Sequence, residues 1–127
     1  MRKFINKIID RIQKKRAIKN HRKMWHWLAE NPTKGKLDYL LKYGGPLTNS
    51  CYLCDYARRA ANRGGWDSGN TDVLCRFCPL DWNGEPCTRE DSLFKRWHIE
   101  GFGMCMDAQK RTELALQIAE LPERVEK

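Results

Sequence analysis

Cys51, Cys54, Cys75 and Cys78 are the residues of this chain best suited to chemistry. They form two C-x2-C pairs separated by 20 residues. Two residues between cysteines let one tight turn present two sulfurs to one ion, and zinc takes four thiolates in a tetrahedron. A closed set of four leaves no open position for water or substrate. The expected cofactor is therefore one structural Zn2+ that stabilises the fold rather than catalyses. Iron and iron–sulfur centres use similar pairs. A redox pair needs one low-pKa thiol, typically at a helix N-terminus, and "CYLC" ahead of "DYARRAANR" could sit there. A second pair at zinc spacing is better explained by metal. Phe77, Leu80 and Trp82 then pack around the metal turns and shield the thiolates. Cys87 lies nine positions beyond Cys78 and is able to replace one of the four, whereas Cys105 reads as a buried helix cysteine.

A second constellation is electrostatic. Residues 1–36 hold 12 Lys/Arg against 2 Asp/Glu, while residues 37–127 hold 12 against 14. The formal net charge of +8 is therefore concentrated at one end, where an electrostatic partner should dock. The candidate contact residues are Arg11, Lys14, Lys15, Arg16, Lys19, Arg22 and Lys23, with Trp25 as a stacking platform. The plain alternative is a solvated basic face. Met24, Trp27, Leu28, Trp82 and Trp97 read as core rather than as stacking surfaces.

These groups need a scaffold, and the spacing of apolar residues supplies one. Phe4, Ile5, Ile8, Ile9 and Ile12 recur at helical spacing on one face among lysines and arginines; in the segment that follows, Met24, Trp27 and Leu28 stand at i, i+3 and i+4, and Asn31-Pro32 ends it. Residues 2–30 thus form one bent helix or two. A short helix with Leu37, Leu40 and Leu41 inward ends at Gly44-Gly45-Pro46. "DYARRAANR" predicts a helix closed by Gly64-Gly65. Thr88 with Asp91 resembles a capping box for a helix through Leu93, Phe94 and Trp97. A last helix starts near Asp107, buries Leu114, Ile118 and Leu121, and stops before Pro122, leaving a frayed tail. The fold class is mainly α: a small helical domain with a four-cysteine zinc-knuckle centre and little β. Residues 1–30 read as a basic amphipathic helical arm and residues 31–127 as a zinc-stapled helical domain.

No stretch approaches the roughly 18 apolar residues of a membrane span, and the first residues lack the pattern of a secretory signal. A cytoplasmic location is expected, where paired cysteines favour metal over disulfides. His21 and His26 stand five apart and so do not share a helix face as an i, i+4 metal pair would. Walker-type, G-x-S-x-G and H-E-x-x-H motifs are missing, so a non-enzyme is expected.

"CYLCDYA" followed by "CRFCPLDW", a further cysteine, "LFKRW" and a closing "IAELPER" resembles small uncharacterised zinc-binding proteins encoded by tailed bacteriophages. "HRKMWHWLAENP" fits the same likeness, which spans about residues 21–124. It carries no established activity and implies a bacterial cytoplasmic setting during infection. An HNH-like nuclease can also carry two C-x-x-C pairs, but it needs a histidine-bearing motif with a downstream asparagine and second histidine, which nothing after His98 supplies. The leading expectation is a phage accessory protein that contacts nucleic acid through its basic helix. The alternative is a protein that binds and modulates a host or phage protein, docking the apolar face of residues 4–12 in a groove. Attachment to a membrane surface ranks below both.

Overall fold

The computed structural model describes residues 2–44, 52–66, 76–82, 92–100 and 107–124. Within them lie five helices: α1 (Arg2–Glu30), α2 (Lys36–Tyr43), α3 (Tyr52–Arg63), α4 (Leu93–Glu100) and α5 (Ala108–Ala119). The protein is mainly α. The one β-type pairing among the described residues is an isolated bridge between Leu80 and Glu123.

The basic segment is a single helix. It ends where expected: Asn31 donates its side-chain N–H to the Trp27 carbonyl at 2.8 Å, which satisfies an orphan carbonyl of the last turn before Pro32. The C-terminal half of α1 is one wall of the core. Ala17, Ile18, His21, Met24, Trp25, Leu28 and Ala29 are all buried. These residues recur at helical spacing, so they share one stripe.

α5 lies antiparallel along that stripe. Thr112 Oγ1 donates to Ala29 O at 2.9 Å, His21 Nε2 donates to Ile118 O at 3.2 Å, and Arg22 donates to Leu121 O at 3.3 Å. The start of α5 is the predicted one: Lys110 N donates to Asp107 Oδ1 at 3.1 Å, and Leu114, Ile118 and Leu121 are buried. α4 closes the other side. Trp97 meets Trp25 edge-on at 4.7 Å between ring centroids, and Phe94 meets it at 6.4 Å. The cap of α4 is Ser92, whose Oγ accepts from Lys95 N at 3.2 Å. The expected Thr88–Asp91 capping box lies outside the described residues.

Two local expectations are corrected. In α2, Leu40 is buried, but Leu37 and Leu41 are exposed and Tyr39 faces inward instead. The helix has only two turns and docks by its aromatic row, with Tyr39 against Trp27 at 5.5 Å and against Tyr43 at 4.8 Å. The expected frayed tail is also partly ordered. Asp81 N donates to Pro122 O at 2.9 Å, Arg124 N donates to Pro79 O at 2.8 Å, and the Arg124 guanidinium reaches Arg76 O at 2.7 Å. Residues 122–124 thus clip the second cysteine turn to the end of α5.

His21 gives the fold a pH dependence. Burial lowers its pKa from 6.5 to about 4, with Lys36 and Arg22 adding to the fall and the hydrogen bond to Ile118 opposing it. The folded pKa lies below the unfolded one, so the unfolded chain binds the proton more readily. The contribution of neutral His21 is fully present above about pH 6.5 and is lost as pH falls towards 4. Its size is on the order of 3 kcal/mol at 1.36 kcal/mol per pKa unit. His21→Gln should flatten the stability profile between pH 7 and 4 in urea titrations; a wild type and variant with parallel profiles would contradict this.

Candidate functional site

The outer surface of α1 is built from two different stripes. With 3.6 residues per turn, Phe4, Ile5, Ile8, Ile9 and Ile12 project roughly 160° away from the buried stripe of residues 17–29. They therefore point away from the core, and all five are 39–66% exposed. Lys15, Arg16, Lys19 and Lys23 are exposed and continue the same outward line towards the C-terminus of the helix. The helix thus presents an apolar segment followed by a basic one on a single side, opposite the face that holds it to the protein.

Three other cations of α1 lie elsewhere. Lys7, Arg11 and Lys14, at i, i+4 and i+7, line an open notch of about 470 Å³ between α1 and the end of α3, together with Arg63, Asp10 and Gly64. Asp10 organises this notch. Its Oδ1 accepts from Tyr56 Oη at 2.7 Å and from Arg63 Nη2 at 2.7 Å. Arg63 also donates to the Gln13 side chain. α3 is therefore tied to α1 by polar contacts at this end and by Leu53 in the core at the other.

Trp25 corrects the expected contact surface. It is 2% exposed and sits between Trp97, Phe94 and His21, with the Lys36 ammonium 5.5 Å from its ring centroid. It belongs to the core because it lies on the same stripe as Ile18, His21 and Leu28. Arg22 is half-buried and holds Leu121, so part of its role is structural. The cysteines divide in the same way. Cys54 stands in the first turn of α3. Cys78 follows a helical turn at Arg76–Phe77 and packs against the core. Both are half-buried. Cys51 and Cys75, with Cys87 and Cys105, lie outside the described residues. Among the described residues no group of three or more possible metal ligands occurs. Cys54 and Cys78 each carry the thiol donor that a tetrathiolate zinc centre takes.

Trp66 and Arg63 carry features that the spacing of apolar residues did not single out. Trp66 is 51% exposed and directly follows the Gly64-Gly65 stop of α3, where Gly65 adopts a φ of +78°. An exposed indole just after a helix stop, as in "NRGGW", was the available signal. His26 and His98 are exposed, and the ring of His98 lies 6.0 Å from that of Phe94.

Among the described residues no helix is long and apolar enough to cross a membrane. Compared with protein-family models, curated proteins and solved structures, the chain matches none.

Proposed function

We propose that this chain is a non-catalytic, zinc-stapled helical protein that contacts nucleic acid through the cations of α1. The observation that carries the reading is the exposed line of Lys15, Arg16, Lys19 and Lys23, free of any interleaved carboxylate on that face of the helix. Neutralising phosphates releases condensed counterions, so such a surface binds any nucleic acid in a salt-dependent way. In this reading Cys51, Cys54, Cys75 and Cys78 hold one Zn2+ that crosslinks α3 to the turn of Arg76–Trp82. The resemblance to phage proteins supports an activity in the cytoplasm of an infected bacterium.

Replacing Lys15, Arg16, Lys19 and Lys23 together by glutamine should weaken binding to duplexes of unrelated sequence to a similar degree. The slope of log K against log salt should become shallower by about 0.9 per lost phosphate contact. Fluorescence anisotropy across a series of salt concentrations measures both. An affinity indifferent to salt would sink the reading.

A second reading rests on a different observation, the exposed Phe4–Ile12 segment. Such a run of apolar side chains is suited to a host or phage protein offering an apolar groove. Ile8→Gln should then abolish capture of that partner and leave nucleic-acid affinity unchanged within about twofold, since it removes no cation and adds no charge.

A further inference from the structure

The notch between α1 and α3 has more than charge. Four cations and one carboxylate line it, and the carboxylate of Asp10 is already engaged by Tyr56 and Arg63. Of the five N–H donors of Arg63, one faces Asp10 and one faces Gln13, which leaves three for an incoming anion. Lys7, Arg11 and Lys14 approach from the other wall at about one cation per helical turn.

Trp66 does not itself line this notch but lies directly beside Gly64, which does. A Cβ placed on Gly64, which lines the notch, would meet the Trp66 ring at 3.0 Å, so the indole lies against that wall. Its position is held from two sides. Trp66 N donates to Ala61 O at 2.9 Å, and Phe77 meets the ring edge-on at 6.2 Å between centroids. Four of the five tryptophans are buried or half-buried, and Trp66 alone is exposed. An oriented aromatic face beside a cationic cleft matches the way single strands are held: phosphate on cations, base on an aromatic ring. A duplex keeps its bases stacked inside and has none to offer that ring.

We infer that the α1–α3 notch is a single-strand site, seating a phosphate among Lys7, Arg11, Lys14 and Arg63 and a base on the exposed face of Trp66. This rests on the nucleic-acid reading above and adds to it a location, a strandedness and an aromatic contact that Trp25 does not provide.

The test uses the full chain, a dye-labelled thymidine oligonucleotide and a duplex of equal length. The oligonucleotide should quench tryptophan emission and bind more tightly than the duplex. Trp66→Ala should abolish most of the quenching and weaken single-strand binding by about 5- to 150-fold, the range seen when one stacked base loses its platform. Lys7→Gln with Arg11→Gln should make the single-strand salt slope shallower by about 0.7, the contribution of the one phosphate seated there. Trp66 is exposed and Lys7 and Arg11 are on the surface, so circular dichroism should show all variants folded. Wild-type affinity and quenching in both variants, with loss only when Arg16, Lys19 and Lys23 are neutralised, would overturn the notch while leaving the nucleic-acid reading standing. No binding of either probe by the wild type at low salt would overturn both.

Discussion

Replacing Arg111 by methionine is expected to cost about 3–5 kcal/mol and to lower the melting temperature by about 10–20 °C. The residue is buried on α5. Its Nε donates to Trp97 O at 3.3 Å, and its Nη1 donates to Pro32 O at 2.6 Å and to Lys34 O at 3.1 Å. The guanidinium also lies 4.1 Å from the centroid of the Trp97 ring. One side chain therefore satisfies carbonyls at the end of α1, in the turn before α2, and on α4. Burial depresses its basicity, yet as an arginine it keeps its charge throughout the accessible pH range. Methionine fills similar space but leaves three carbonyls without their donor: the buried one at Trp97 costs about 1–3 kcal/mol, and the part-buried ones at Pro32 and Lys34 each lose a hydrogen bond to a charged donor. Arg111→Lys should recover little, because an ammonium cannot reach three acceptors from one planar fork. Thermal unfolding of both variants measures this, and an unchanged transition would show that these contacts contribute nothing net.

The second large effect concerns the cysteines. Cys54→Ser should release the proposed zinc and abolish the cooperative transition. Structural zinc in small finger peptides is held with apparent free energies of about 10–16 kcal/mol, as much as or more than the roughly 5–15 kcal/mol that keeps a typical domain folded. The damage should be uneven. α3 and residues 76–82 carry Cys54 and Cys78 and should be released, taking Leu53, Leu80 and Trp82 from the core, whereas α1, α4 and α5 keep their own contacts around Trp25, Trp97 and Ile118. Helical circular dichroism should therefore fall only in part, and a chelator should reproduce the variant. Purified wild-type protein without stoichiometric metal, melting cooperatively, would refute the zinc assignment.

The helices were largely legible because their signals are local. Asp107, Pro122, Gly44 and Gly64-Gly65 mark real ends, and the Leu114–Ile118–Leu121 stripe is buried as its spacing requires. What the spacing alone left open was whether the two apolar sets of residues 2–30 share a face. Phe4–Ile12 and Met24–Leu28 both obey helical spacing, but their phases differ, so α1 buries one set and exposes the other. The same phase shift puts Trp25 inside. α2 was misjudged because leucine was ranked above tyrosine, while tertiary contact with Trp27 selected Tyr39. The order of residues 122–124 depends on pairing with residues 79–81, more than 40 positions away, which no local pattern reports. Arg111 escaped notice for a related reason: its three acceptors come from segments that meet only in the folded chain. In the candidate site, the cations were visible from composition, but their division between an outward line and a notch required the phase of α1 and the position of α3.

The outward Phe/Ile segment also bears on how the protein behaves in concentrated solution. Two copies meeting at Ile8 would bring together helices that each carry a strong excess of positive charge, and in dilute salt this repulsion acts as a colloidal barrier. The barrier is electrostatic, whereas the attraction beneath it is hydrophobic. At about 1 M salt the screening length shrinks to about 3 Å and the repulsion disappears, while exposed isoleucine remains as poorly hydrated as before. High salt, the usual means of stripping nucleic acid from a basic protein, should therefore drive this one to self-associate, and light scattering should increase with ionic strength. The lysines and arginines around residues 4–12 act, in this sense, as gatekeepers against aggregation as well as contacts for a partner.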